Sequence, residues 1–112
     1  MLKYSIEESD QFRKDVEEAA DWILLTNIEQ SESLAEKKVD DLSSELSALK
    51  TRLQEFPESG EADSIRGIRR FPVYDGRYSA KWIVNHVTKT VTFITLSDSK
   101  YPKQLRQVQF DE

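Results

Sequence analysis

The sequence predicts an α+β domain with one N-terminal strand, an antiparallel hairpin of two helices, and a three-stranded antiparallel meander. Two patterns of apolar residues lead to this prediction. Apolar residues recur at three- and four-residue spacing before Leu53, which indicates amphipathic helices, and at two-residue spacing after Gly67, which indicates strands. A length of 112 residues suits a single domain over residues 1–112, because neither half has enough apolar residues to bury a core alone.

The composition is that of a soluble globular chain. Hydrophobic residues make up 38% of it and charged residues 33%, which is too apolar for a disordered segment. No apolar run approaches the roughly 20 residues needed to span a bilayer, and the N-terminus lacks the basic and apolar regions of a signal peptide. The absence of cysteine excludes disulfides and thiolate metal sites. We therefore expect a cytoplasmic protein that neither contacts a membrane nor carries a cofactor.

The net charge of −5 is unevenly distributed along the chain. Residues 1–64 carry 7 Lys and Arg against 17 Asp and Glu, a net charge of −10. Residues 65–112 carry 9 against 4, a net charge of +5. A basic sheet half attracts polyanions or an acidic partner, whereas two solvated faces of opposite charge would simply balance each other. The charges alone leave both interpretations open.

The chain begins with a short strand followed by a helix. Leu2 to Ile6 alternates apolar and polar residues, as in a half-buried strand added at the edge of a sheet. Ser9 is a favourable N-cap for the helix, which we expect to end near Thr26-Asn27. The apolar face of this helix consists of Phe12, Val16, Ala19, Ala20, Ile23 and Leu24.

A second helix follows a connection over Glu29 to Glu32. Ser33 and Glu36 have the spacing of a capping box, which predicts the helix start, and Pro57 predicts its end. The apolar positions have the spacing of a heptad seam: Val39, Leu42, Leu46, Leu49, Leu53 and Phe56. The seam would pack on the first helix as an antiparallel hairpin or on a second chain as a homodimer.

The meander is predicted after a polar loop over Glu58 to Asp63. Its strands are Ile65 to Val73, Tyr78 to Val87 and Val91 to Ser97, with turns at Asp75-Gly76 and Thr88-Lys89-Thr90. The last strand carries apolar residues on both sides, so we expect it to be central and partly covered on both faces. Gln104 to Phe110 fits either a short strand or a helical turn.

Several of these segments resemble the RelE/ParE superfamily, the toxins of bacterial type II toxin–antitoxin systems that are also called plasmid-stabilisation proteins. The first helix reads D-V-x4-D-W-I from Asp15 to Ile23, and the second ends L-x3-P-x2-G from Leu53 to Gly60. Gly67 to Val73 reads G-I-R-R-F-P-V, and the next strand carries aromatic residues at Tyr78 and Trp82. The resemblance covers residues 2–98 and implies the family's β-α-α-β-β-β fold.

The resemblance implies a growth-inhibiting toxin whose cognate antitoxin lies across it. Two mechanisms occur in the family: inhibition of DNA gyrase by binding, as in ParE, and ribosome-dependent cleavage of mRNA without a metal, as in RelE. The segment Ser97 to Lys103 departs from the C-terminal motifs of both groups, so the sequence leaves open whether the chain is an enzyme. A toxin fold that serves only as a protein-interaction module is the remaining alternative.

A RelE-type reaction needs a base for the 2′-hydroxyl, cations for the charge on phosphorus, and an acid for the leaving oxygen. By the resemblance, Arg69, Arg77, Lys81 and Lys100 would bind phosphate, with Tyr101 or His86 transferring protons. Trp82 and Tyr78 would be candidates for stacking on bases. The alternative is that the cations are solvated strand residues that prevent sheet edges from pairing.

Overall fold

A computed structural model describes residues 3–99 of the chain. Two helices pack on one side of a five-stranded sheet with the strand order β1-β5-β4-β3-β2. Strand β1 pairs in parallel with β5, and the other neighbouring strands are antiparallel. The elements are β1 (Ser5–Glu8), α1 (Asp10–Asn27), α2 (Glu32–Glu55), β2 (Glu61–Ala62), β3 (Arg69–Val73), β4 (Tyr78–Asn85) and β5 (Thr90–Asp98). The predicted α+β fold and its meander are confirmed. The predicted edge strand is present, but it covers Ser5–Glu8 where the sequence pattern predicted Leu2 to Ile6.

Helix α1 is joined to the sheet at its N-cap residue, Ser9. The Ser9 hydroxyl accepts a hydrogen bond from the Phe12 N–H at 3.0 Å and donates one to the Ile94 carbonyl at 2.9 Å. Ser9 is therefore the N-cap, as predicted, and also a link between α1 and β5. Phe12, Ala19 and Ile23 are buried, which confirms the inward face of the helix.

Helix α2 packs against α1 as the predicted intramolecular hairpin. Leu42, Leu46, Leu49 and Leu53 of its seam are buried. The predicted capping box at Ser33 is wrong, because Ser31 is the N-cap and accepts a hydrogen bond from the Leu34 N–H at 3.2 Å. The Asn27 carbonyl binds the Ser31 N–H at 3.2 Å, so the chain enters α2 directly after the turn that ends α1.

The last seam residue of α2, Phe56, lies beyond the end of the helix and is 62% exposed. Pro57 follows it and prevents another turn of helix. The seam therefore loses its packing partner at the point where the sequence predicts the helix to stop. No helix within residues 3–99 is long and apolar enough to cross a membrane.

Strand β5 lies inside the sheet, between β1 and β4, as its apolar character predicted. A β-bulge changes which side its residues occupy. Phe93 pairs with Trp82, whereas Leu96 pairs with Ala80, so both apolar residues of β5 are buried on the helix side. Ile94 on the bulge is half-buried. The odd- and even-numbered apolar residues of β5 therefore point to the same face because of the bulge. No described element covers the other face of the strand.

The strand predicted over Ile65 to Val73 begins only at Arg69. Gly67 has a φ of +87°, and a turn bond joins the Ile68 N–H to the Ile65 carbonyl at 3.2 Å, so the preceding residues form a turn. The segment predicted as a polar loop contains the two-residue strand β2, which pairs with the start of β3. Alternation alone does not locate such a break.

The L-x3-P-x2-G segment encloses the largest core residue. Trp82 is fully buried, and its indole N–H donates to the Pro57 carbonyl at 2.8 Å. A Cβ at Gly60 would overlap the Trp82 ring and would lie 2.5 Å from the Arg70 carbonyl oxygen. Pro57 and Gly60 therefore pack closely against the indole, and these contacts hold the loop that leads to β2 in place.

Candidate functional site

The sheet face opposite the two helices carries two cations on a single buried carboxylate, and we call it the uncovered face because no helix within residues 3–99 lies on it. The side chain of Asp63 is 1% exposed, and its Oδ1 atom lies 3.4 Å from both Arg70 Nη1 and Lys81 Nζ. Its Oδ2 atom accepts a hydrogen bond from the Ile65 N–H at 3.2 Å. Arg70 and Lys81 are register partners on β3 and β4, so they project on the same side of the sheet. We call Asp63, Arg70 and Lys81 the Asp63 cluster.

Electrostatics keep the carboxylate of the Asp63 cluster ionised. Burial alone would raise the pKa of Asp63, but the Ile65 N–H and the charges of Lys81 and Arg70 together lower it below its ordinary value. Glu61 adds a weaker contact at 3.8 Å from Arg70 Nε. Asp63 and Glu61 balance the two positive charges, and the side chain of Lys81 is only 14% exposed, so Arg70, at 42%, is the cation of the cluster that a partner can reach.

Arg77 lies at the other end of β4 and is held from two sides. Its guanidinium makes a bidentate contact with Asp98, with Nε–Oδ1 at 3.0 Å and Nη2–Oδ2 at 3.2 Å. It also stacks 4.0 Å from the ring centroid of Trp22 on α1. These contacts connect the end of β5 to α1, and the Arg77 guanidinium makes them with groups of this chain.

Arg69 faces the helices rather than the uncovered side of the sheet. It pairs in register with the core residue Trp82, and its Nη1 donates to the Gly60 carbonyl at 3.0 Å. Two further residues of the predicted phosphate-binding and proton-transfer set, Lys100 and Tyr101, lie outside the described residues.

The predicted cations are not brought to one point. Lys81 and Arg69 lie on opposite sides of the sheet, as their register partners Arg70 and Trp82 show. Arg77 precedes Lys81 by four residues along an extended chain, which separates their Cα atoms by about 13 Å. The structure instead joins Lys81 to Arg70, a residue that the sequence did not single out, through a carboxylate assigned to a loop.

His86 has two polar partners that sequence reasoning missed. Its Nδ1 atom lies 2.6 Å from the hydroxyl of Tyr4, and its Nε2 atom lies 3.4 Å from Glu58 Oε1. The Nζ atom of Lys89 is 5.2 Å from the centre of the Tyr4 ring. Tyr4 is 82 residues from His86 in sequence and Glu58 is 28 residues away, so no local spacing could reveal the group.

In the Tyr4–His86–Glu58 group an imidazole lies between a phenol and a carboxylate. General acid–base catalysis in proteins uses arrangements of this type, in which one ring nitrogen exchanges a proton and the other is oriented by its partner. His86 and Glu58 are about half exposed, with side-chain exposures of 54% and 55%. An open depression of about 660 Å³ borders the group and is lined by Arg52, Glu55, Phe56, Pro57, Glu58 and Ser59.

The proposed base-stacking residues are excluded by burial. Trp82 is fully buried and Tyr78 is 4% exposed, so neither ring is available to a nucleotide base. Both belong to the core because they lie on the side of β4 that the helices cover. Within residues 3–99 there is also no group of three or more His, Cys, Asp and Glu side chains able to hold a metal ion.

Solved structures of toxin–antitoxin proteins contain chains with a fold similar to this one. No family model matches the sequence, and no curated protein matches it significantly. A chain of the chromosomal ParDE TA system from P. aeruginosa matches with a TM-score of 0.67 and 16% identity, over 86% of this chain and 96% of that one. A chain of the intact E. coli RelBE toxin–antitoxin complex matches with a TM-score of 0.53 and 11% identity, over 86% and 96%. A chain of the RelBE2 complex from Mycobacterium tuberculosis matches with a TM-score of 0.50 and 15% identity, over 88% and 93%.

Proposed function

We propose that this chain, which has the RelE/ParE toxin fold, is the toxin of a type II toxin–antitoxin pair and inhibits growth by binding its target. The target that the ParE resemblance implies is DNA gyrase. The observation that supports binding over chemistry is the internal pairing of the predicted cations. Arg69, Arg77 and Lys81 each contact a carbonyl or carboxylate of this chain, and they lie at separate places.

The surface we propose for target binding is the uncovered sheet face around the Asp63 cluster. Ile83 lies next along β4 on the same side as Lys81 and is 42% exposed, so the face combines apolar area with the accessible guanidinium of Arg70. Interface centres commonly have this combination of an apolar contact and a rigid Arg. The acidic helical half would face away from a negatively charged target.

A second candidate function, metal-independent cleavage of mRNA, is favoured by the Tyr4–His86–Glu58 group. His86 would act as the base or acid, and the nearby Lys89 would lower the energy of negative charge on Tyr4 or phosphate. Under this candidate a phosphate-contacting role for Arg69, Arg77, Lys81 and Lys100, with Tyr101 as an acid, stays a prediction.

The partner we propose is an antitoxin with an acidic, partly disordered segment. The accessible guanidinium of Arg70 suits an acidic side chain, and coupled folding of such a segment would cover a large surface. Co-expression with such an antitoxin should abolish any growth inhibition. Maintenance of a plasmid and a homodimeric state of the toxin are further parts of the family pattern that this proposal carries to the chain.

The proposal is tested by inducing the chain in a bacterial culture and pulse-labelling DNA and protein synthesis in parallel. We expect DNA synthesis to fall first, and we expect the double variant Arg70→Ala/Lys81→Ala to restore it. The matched control is Lys14→Ala, an exposed lysine on α1. Thermal melts monitored by circular dichroism establish that each variant is folded.

The other outcomes separate the alternatives. An early fall in protein synthesis that Tyr4→Phe or His86→Ala relieves would support mRNA cleavage and contradict gyrase binding. Normal growth with a folded chain would contradict both toxin mechanisms and leave the interaction module. Equal relief by Lys14→Ala and by the double variant would show that the loss of inhibition is not specific to the uncovered face, and it would contradict the proposed binding surface.

A further inference from the structure

An open depression lies where α2 ends and the chain turns toward β2. It has a volume of about 660 Å³ and is lined by residues of the last turn of α2 and of the loop that follows, between Arg52 and Ser59. We call it the α2 depression. Pockets of this size hold ligands as large as a few amino-acid side chains. None of its lining residues belongs to the Asp63 cluster, so it is a separate surface from the uncovered face.

The loop that forms the α2 depression is held in place by bonds within the chain. The Phe56 N–H donates to the Arg52 carbonyl at 2.9 Å, and the Ser59 N–H donates to the Phe56 carbonyl at 3.1 Å. The Pro57 carbonyl accepts the indole N–H of the buried Trp82 at 2.8 Å. Because these bonds already order the loop, a ligand that binds there does not have to supply the free energy of ordering it.

Phe56 gives the α2 depression an exposed aromatic side chain. It is 62% exposed although it continues the apolar seam of α2, and the half-buried Pro57 adds apolar area beside it. Both residues line the depression. An aromatic side chain in a concave and rigid place is a typical contact for an apolar side chain of a partner.

Each of the two carboxylates that line the α2 depression already contacts a basic side chain. Glu55 Oε1 lies 3.9 Å from Lys3 Nζ, and Glu58 Oε1 lies 3.4 Å from His86 Nε2. Arg52 is the third charged lining residue, and its guanidinium has no carboxylate partner within residues 3–99. The charge that is left without a counter-ion is therefore positive.

The Arg52 guanidinium is both accessible and oriented. Arg52 is exposed, and its guanidinium carbon lies 5.7 Å from the centre of the Phe71 ring on β3. Stacking on an aromatic ring uses the flat face of a guanidinium and leaves its N–H edge for a carboxylate, which it can bind through two parallel hydrogen bonds. An acidic group on a partner would therefore complement the charge of the depression.

A buried hydroxyl beside the α2 depression also lacks a partner. The Ser59 Oγ atom is inaccessible to solvent and makes no hydrogen bond to any residue between 3 and 99. Such a hydroxyl costs free energy in the unbound protein, and a ligand that bonds to it recovers that cost. Ser59 lines the depression, so a change of its rotamer can turn the hydroxyl toward a bound carbonyl group.

We infer that the α2 depression is a docking site for a segment of a partner protein in which an aromatic side chain stands next to an acidic one. The aromatic side chain packs on Phe56, the carboxylate pairs with Arg52, and a main-chain carbonyl of the segment accepts a hydrogen bond from Ser59. The inference rests on the proposed function only in assuming that the chain has a protein partner.

The test titrates the whole isotope-labelled chain with three capped tetrapeptides and follows its NMR signals. The peptides differ at one position: Gly-Phe-Glu-Gly, Gly-Phe-Gln-Gly and Gly-Phe-Lys-Gly. We expect the amide signals of Phe56, Glu58 and Ser59 to shift. We expect the glutamate peptide to bind about fivefold more tightly than the glutamine peptide, and the lysine peptide to bind most weakly. The titration needs neither growth inhibition nor a target, so its failure is distinct from a failure of the proposed function.

Variants identify the group that makes each contact. Arg52→Gln should remove the preference for glutamate, whereas the matched control Arg66→Gln, at an exposed arginine outside the depression, should leave it unchanged. Phe56→Ser should weaken the binding of all three peptides. Ser59→Ala should also weaken binding, but its melting temperature should be no lower than that of the wild type, because the substitution removes a buried hydroxyl that has no partner in the unbound chain between residues 3 and 99.

Three results would overturn the inference. Equal affinities for the three peptides, or a preference for glutamate that survives Arg52→Gln, would show that Arg52 does not bind the carboxylate. Tighter binding of the lysine peptide would show that Glu55 and Glu58 determine the charge of the depression. Signals that shift only elsewhere in the chain, or not at all at millimolar peptide, would show that the depression is not a docking site.

Discussion

Replacing Gly60 by alanine tests how closely the chain packs around Trp82. The added Cβ would overlap the indole ring and approach the Arg70 carbonyl oxygen to 2.5 Å. Neither neighbour can easily move, because Trp82 is fully buried and hydrogen-bonded to the Pro57 carbonyl and Arg70 is part of β3. Gly60 does not have a positive φ, so the cost would come from overlap rather than from backbone strain.

The expected loss follows from the cost of overpacking a core. Added methyl groups in tight cores cost about 1 to 3 kcal/mol, and two rigid neighbours place Gly60→Ala near the upper end, at about 3 kcal/mol. For a domain of this size that corresponds to a fall in melting temperature of roughly 10 °C or more. Urea unfolding followed by circular dichroism and tryptophan fluorescence measures the free energy directly.

Gly67→Ala is the matched control, because it would strain the backbone without bringing the new Cβ against neighbouring atoms. Its φ is +87°, and a Cβ there would meet nothing within 4 Å, so Gly67→Ala costs only backbone strain of about 1 kcal/mol. Combining Gly60→Ala with Trp82→Phe should cost less than the sum of the two single changes, because the smaller ring makes room. The packing argument fails if Gly60→Ala is no more destabilising than Gly67→Ala, or if the double variant is strictly additive.

Two further predictions concern polar groups that join elements. Ser9→Ala should lower the free energy of unfolding in urea by about 2 kcal/mol, because it removes both the N-cap bond and the hydrogen bond to β5. Ser31→Ala removes an N-cap bond alone and should cost about 1 kcal/mol. Equal losses in the two variants would show that the bond from Ser9 to β5 adds no stability. Asp63→Asn should cost about 2 to 4 kcal/mol at pH 7, because two cations lose their carboxylate. Folding lowers the pKa of Asp63, so its stabilisation is present at neutral pH and is lost as the pH falls through the folded pKa. Unfolding curves taken at several pH values should therefore show that the difference in free energy of unfolding between the wild type and Asp63→Asn becomes smaller below pH 3.8, the ordinary pKa of an Asp side chain. A difference that stays constant with pH would show that the Asp63 carboxylate does not stabilise the fold through its charge.

The helices and the meander could be predicted because their signals are local. The spacing of four leucines places them on one side of α2: Leu42, Leu46, Leu49 and Leu53. Such an apolar side must be buried against another element, and α1 is that element. The start of α2 could not be decided in the same way. Ser31 and Ser33 are both suitable caps, and the choice depends on the turn that Asn27 makes in space.

The candidate site was less accessible to sequence reasoning because its contacts are long-range. Lys81 was chosen for its charge, but its partner Asp63 has the sequence context of a polar loop and becomes buried only when β2 pairs with β3. His86 was identified as the single histidine, whereas Tyr4 carries no signal beyond its place in a strand. Charge and residue type identify which side chains can act, and only the folded register determines which of them meet.

The parallel pairing of β1 with β5 has a consequence for synthesis of the chain. Ser5 pairs with Thr90, so the first strand has no sheet partner until almost the whole described region has been made. At translation rates of about 5 to 20 residues per second, that delay is roughly 4 to 17 s. During this interval the helical hairpin can form from local contacts, but the side of α1 that later meets β5 is without its cover. The side of α1 that meets β5 therefore stays exposed in the nascent chain until β5 has been made.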